Sequence, residues 1–66
     1  MNEWTKIYDD GECRIYQCKN RFTTITYYVN PYFITRKGGG FGGTVTMYKG
    51  EKSYFDTLAE LEVLVP

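Results

Sequence analysis

Phe22-Thr23-Thr24-Ile25-Thr26-Tyr27-Tyr28-Val29 is the longest run of β-branched and aromatic residues in the chain, and it reads as a strand. Successive side chains of a strand point to opposite faces. One face therefore carries Thr23, Ile25, Tyr27 and Val29, the other Phe22, Thr24, Thr26 and Tyr28. The first set is the more aliphatic and is expected to face the core. The second is expected to present rings and hydroxyls to solvent or to a partner. Asn30-Pro31 interrupts the ladder, because proline has no backbone donor, and marks a tight turn or an edge bulge. Tyr32 to Arg36 follows as a further strand, so residues 22–36 form either one long bent strand or a hairpin.

Toward the N-terminus, Trp4 to Tyr8 and Cys13 to Cys18 read as two strands around Asp9-Asp10-Gly11-Glu12, where Asp-Gly suits the positive φ of a tight hairpin turn. Lys19-Asn20-Arg21 is a polar connection. Toward the C-terminus, Lys37 to Gly43 is a glycine-rich loop with Phe41 at its centre. Thr44 to Tyr48 is a fifth strand, with Val45 and Met47 on one face and Thr44, Thr46 and Tyr48 on the other. Lys49-Gly50-Glu51-Lys52 reads as another hairpin turn, after which Ser53-Tyr54-Phe55 pairs briefly. The period then changes. Thr57 and Glu60 fit a capping box, and Leu58, Leu61 and Leu64 with Val65 form an apolar stripe on a helix of about two turns, ended by Pro66.

The expected fold is α+β: a small antiparallel sheet of four to five strands, connected as a hairpin meander, with one short C-terminal helix packed on one face. The 66 residues make one domain, 1–66, with a small core. Domains of this size often rely on a disulfide, a metal or a partner subunit. Cys13 and Cys18, the only cysteines, lie about 16 Å apart on an extended strand and point to opposite faces, so both are expected to be reduced. Reduced thiols favour the cytoplasm, which would be the host cytoplasm for a phage-encoded chain. Two thiols without histidine do not fill a tetrahedral zinc site, and no cofactor is expected. A homodimer is the remaining means of support. Met1-Asn2-Glu3-Trp4 is polar with no apolar segment after it, so no export signal is expected. No apolar run approaches the ~20 residues that cross a membrane. Met1 and Pro66 read as the ends of a complete small reading frame, of the kind common in phages and mobile elements.

A formal net charge of zero hides a segregation. No Asp or Glu occurs between Cys13 and Gly50, where Arg14, Lys19, Arg21, Arg36, Lys37 and Lys49 give +6. Residues 1–12 set Lys6 against Glu3, Asp9, Asp10 and Glu12, and residues 51–66 set Lys52 against Glu51, Asp56, Glu60 and Glu62, giving −3 at each end. A one-signed field is a handle for a partner. Equally, the acidic ends can fold back and neutralise the basic strands, as cross-strand neighbours commonly do.

Gly38-Gly39-Gly40-Phe41-Gly42-Gly43-Thr44-Val45 matches the spacing of a kinase glycine-rich loop, but the other kinase motifs are missing, and no helix follows the glycines as a dinucleotide fold requires. The segment reads as a mobile hairpin loop, or as a contact loop in which Arg36, Lys37 and Phe41 grip a partner. Asp9-Asp10-Gly11-Glu12 lacks the ligand spacing of a calcium loop, and turn chemistry accounts for it. The chain has no histidine, the commonest general base, and no enzyme is expected.

The function these features imply is a small non-enzymatic protein-binding module, such as a phage- or mobile-element-encoded inhibitor that acts on a host protein by steric occlusion. Tyr28, Tyr32, Arg36, Lys37, Phe41 and Arg21 are the expected contact residues. Two alternatives stand beside it. One is a small nucleic-acid-binding domain that uses the basic, aromatic centre, and the other a self-associating structural protein.

Overall fold

Three turns spaced ten residues apart lay down the chain in the computed structural model, which describes residues 3–39 and 43–65. Asp10 Oδ1 accepts from the backbone N–H groups of Glu12 and Cys13 at 3.0 and 2.7 Å. Asn20 Oδ1 does the same for Phe22 and Thr23 at 2.9 and 2.8 Å. Asn30 Oδ1 does so for Tyr32 and Phe33 at 2.8 and 2.9 Å. In each turn the N–H of the Asx residue donates to the carbonyl three positions on, at 3.0–3.1 Å. A short side chain that mimics a backbone turn is why Asp and Asn favour such sites.

These turns join β1 (Glu3–Asp9), β2 (Arg14–Lys19), β3 (Thr24–Val29) and β4 (Phe33–Gly38); β5 (Thr44–Tyr48) follows the glycine segment. Every neighbouring pair is antiparallel and the order is β1-β2-β3-β4-β5, a five-stranded meander. Residues 22–36 are thus a hairpin, not one bent strand. β1 carries a bulge between Lys6 and Tyr8, which leaves Ile7 without a partner on β2.

Asn30→Ala is expected to cost about 1–2 kcal/mol, because its bond to the Phe33 amide is partly buried and that donor loses its acceptor. Asn20, whose bonds are all exposed, is expected to cost less. Urea midpoints of the two alanine variants check the order.

The aliphatic face of β3 is the core side. Registered across the sheet, it brings Ile25, Tyr27 and Val29 level with Trp4, Arg14, Tyr16, Cys18, Ile34, Arg36, Val45 and Met47. Helix α1 (Lys52–Leu64) lies on this face. Tyr16, Val29, Ile34, Tyr54 and Leu61 form the buried cluster, and Trp4, Tyr27, Met47, Leu58 and Val65 pack against it. The Trp4 and Tyr27 rings meet at 5.4 Å. Cys18 is buried and Cys13 exposed, and both are free thiols.

The helix corrects the sequence reading. It begins at Lys52, not at Thr57, and its 13 residues make about three and a half turns. Lys49 to Glu51 is a turn that leads directly into it, so Ser53-Tyr54-Phe55 is helical and pairs with no strand. Tyr54, Leu58, Leu61 and Val65 follow at i, i+4, i+7 and i+11, the inward stripe of a helix. Tyr54 is a strong strand former by propensity, but its spacing to the leucines overrides that preference once the sheet offers an apolar face. Leu64, assigned to the stripe, is exposed.

No capping box forms. The Thr57 hydroxyl donates to Met47 Sδ at 3.4 Å, and the N-cap residue, Glu51, makes no side-chain cap bond. Instead the helix is held by its packing, by that Thr57 contact and by three further polar contacts. The Tyr54 hydroxyl donates to the Asn30 carbonyl at 3.0 Å, Arg14 Nη1 reaches Glu62 at 3.4 Å, and Lys52 Nζ reaches Asp56 at 2.6 Å along the helix surface. Pro66 lies outside the described residues.

Candidate functional site

α1 covers one face of the sheet; among the described residues the other carries no helix. Strand alternation and register set what that open face presents. Tyr8, Ile15, Tyr28, Thr35 and Thr46 align in one row across all five strands. Thr5, Gln17, Thr26, Lys37 and Thr44 align in the next. Phe33 sits beside Tyr48 at one end with ring centroids 6.2 Å apart, and Glu3, Lys19 and Thr24 close the other end.

The rows differ chemically. Tyr8, Tyr28 and Tyr48 stay exposed although they stand on a sheet, as does Ile7 at the bulge. The Lys37 ammonium lies 5.6 Å from the centroid of the Tyr28 ring, close enough for the quadrupole of the ring to attract it. Thr26 is nearly buried at the centre, and Gln17 Nε2 donates to its hydroxyl at 3.4 Å. Along β1 and β2, Glu3, Thr5, Ile7, Gln17 and Lys19 line a shallow depression of about 310 Å³. Hydrogen bonding to Asp10 raises the pKa of Tyr8, whose hydroxyl donates to that carboxylate at 2.9 Å. The Asp9 and Asp10 carboxyls are held below their ordinary range, chiefly by the turn amides they accept from. Those bonds give the acidic turn a structural role.

The six residues expected to make contacts do not form one patch. Tyr28 and Lys37 meet on the open face. Arg36 is on the opposite, helix-bearing face beside Tyr27, as strand alternation requires. Its Nε is buried and has no hydrogen-bond partner among the described residues, and its Nη2 lies beside Gly39. Burial raises the Tyr27 pKa, the Arg36 charge opposes that shift, and Glu60 on the helix adds to it. Tyr32 is 75% exposed in the turn between β3 and β4, at the end of the sheet where Lys49 donates to its carbonyl. Arg21 is at the other end of β3, in the turn between β2 and β3, 5.9 Å from the ring of Phe22. Phe41 lies outside the described residues.

The basic centre is divided in the same way. Arg14 is paired with Glu62 of the helix, so one acidic end does fold back onto a basic strand. Lys6 pairs with Asp9 within β1. Among the described residues Lys19, Arg21, Arg36, Lys37 and Lys49 make no ion pair, but they are spread over both faces and both ends. Tyr8, Tyr48, Phe33 and Gln17 belong to the open face and were not singled out in the sequence. Their signal was the alternation within each strand, which needs the register to become a surface. Among the described residues no three His, Cys, Asp or Glu side chains converge as a metal site would require, and no described helix is long and apolar enough to cross a membrane. No protein-family model, no curated protein and no solved structure matches the chain.

Proposed function

We propose that the chain is a small non-enzymatic binding module whose open sheet face docks on a protein partner and occludes it. One observation carries this reading: a complete face of a five-stranded sheet is free of the helix and lined by tyrosines, threonines and one tyrosine-stacked lysine. Tyrosine supplies a large contact area with few rotors, and a sheet holds it without further ordering cost. The cations favour a protein over a nucleic acid as the partner. A phosphate backbone calls for several positive side chains on one surface, whereas Arg36 is on the far face, Arg14 is paired, and Arg21 stands in a turn at one end.

The test places a photo-crosslinking amino acid at Thr46 on the open face and, as control, at Ser53 on the helix. The Thr46 probe is expected to yield a discrete protein adduct in a lysate and the Ser53 probe none. Adding Tyr28→Ala with Lys37→Glu is expected to weaken capture roughly thirtyfold, the effect of losing about 2 kcal/mol at a hot spot. Equal adducts from both probes, or capture that the double variant leaves intact, would falsify the reading. Retention of nucleic acid that falls steeply with salt would replace it with the alternative.

A further inference from the structure

We infer that the free edge of β5 pairs antiparallel with the β5 of a second copy, in a single register centred on Val45. The meander leaves two edges, and they differ. β1 is blunted by the bulge at Ile7 and carries Glu3, Lys6 and Asp9, devices that discourage edge pairing. β5 is Thr44-Val45-Thr46-Met47-Tyr48, with no charge, no proline and no bulge in its pairing to β4.

The hydrogen-bond phase decides what that edge offers. The Lys49 N–H donates to the Tyr32 carbonyl at 2.9 Å, so the 32/49 pair is hydrogen-bonded. Bonded and non-bonded pairs alternate along an antiparallel ladder. Pairs 34/47 and 36/45 are therefore bonded too, and the backbone groups of Thr44, Thr46 and Tyr48 point outward. Glu51 already occupies those of Tyr48. Its Oε1 accepts from the Tyr48 N–H at 2.6 Å, and its own N–H donates to the Tyr48 carbonyl at 3.0 Å. Among the described residues of β5 this leaves Thr44 and Thr46 with open donors and acceptors.

Two such residues, spaced by one, are complementary to themselves. Under a two-fold axis normal to the sheet, Thr44 pairs with Thr46 of the second copy and Thr46 with its Thr44. Each pair exchanges two hydrogen bonds. A register centred on Thr46 would need Tyr48, whose groups Glu51 holds. The Val45 side chains, each 50% exposed on the helix-bearing face, then stand directly opposite one another. No like charges meet, because β5 carries none. The axis keeps both open faces on the same side, so the dimer presents a ten-stranded surface. So small an interface, below about 1,200 Å², is transient.

The test is crosslinking of purified protein in a Cys13→Ser background, with no partner present. In a non-hydrogen-bonded pair the Cα atoms lie about 4.5 Å apart, within disulfide reach. Val45→Cys is expected to form an intermolecular disulfide at least about tenfold faster than Thr44→Cys, whose two copies are offset along the strands. In the unmodified protein, raising the concentration from about 10 μM to about 1 mM is expected to slow amide exchange at Thr44 and Thr46 and leave Tyr48 unchanged. Equal crosslinking at the two positions, or a strict monomer at the higher concentration, overturns the inference and leaves the edge to a foreign strand. Neither readout depends on what the open face binds.

Discussion

Tyr16→Ala is expected to remove most of the stability of this domain, about 3–5 kcal/mol, the usual cost of deleting a fully buried aromatic ring. Tyr16 is 0% exposed and sits at the centre of the cluster formed with Val29, Ile34, Tyr54 and Leu61. Two layers meet on it, the sheet and α1, and the sheet below cannot collapse into the space the ring leaves. A chain of 66 residues has a total stability on the order of 3–10 kcal/mol, so this one loss is comparable with the whole. Tyr16→Phe separates packing from polarity. It removes only the hydroxyl that accepts from Arg14 Nη1 at 3.1 Å, and Arg14 keeps Glu62. That change is expected to cost about 1 kcal/mol. Urea unfolding measures both; a fall of less than about 1 kcal/mol for Tyr16→Ala, at unchanged slope, would show that the core is not organised around this ring.

Gly38→Ala is expected to cost about 3 kcal/mol or more, for two separable reasons. Its φ of +91° is strained for any L side chain, and an added Cβ would overlap the backbone carbonyl of Thr24 across the β3–β4 pair. Gly38 ends β4 and Thr24 begins β3, and backbone held in a strand pair does not yield as a flexible side chain does. Gly11 is the internal control. Its φ is +97°, yet a Cβ there meets nothing within 4 Å. Gly11→Ala carries the strain alone, about 1 kcal/mol. The difference between the two urea midpoints isolates the clash, and equal midpoints would mean that β4 shifts away from Thr24 at little cost.

Much of the sheet was legible because strand alternation is a local property. The odd face of β3 was identified as the core side from Ile25, Tyr27 and Val29, and β5 was placed within its observed bounds. The start of α1 was not legible. Tyr54 and Phe55 are strand formers by propensity, and only the apolar face of the sheet makes their helical spacing to Leu58 and Leu61 the stronger signal. The ten-residue rhythm of Asp10, Asn20 and Asn30 was present in the chain, but as three unrelated turn signals. Their common hydrogen-bond pattern makes them one device.

The candidate site divides along the same line. That Arg36 and Lys37 face opposite ways follows from adjacency on a strand, yet the sequence reading ended the strand at Arg36 and placed Lys37 in the glycine loop, where alternation does not apply. Once β4 extends to Gly38, the two part company.

By itself, then, the amino-acid sequence determined the class of the fold, the core face of the long strand and the absence of histidine chemistry, because composition and period-two alternation act within a few residues. Tertiary structure alone decided which side chains share a surface. Register across five strands set Tyr28 beside Lys37 and aligned the threonines. Docking of α1 chose which face stays open, and the grip of Glu51 on Tyr48 chose which edge groups of β5 remain unpaired. Register and helix docking depend on contacts between residues far apart in the chain, whose energies no local pattern contains; the Glu51–Tyr48 bonds span only three residues, but they matter only because the strand order leaves β5 at an edge.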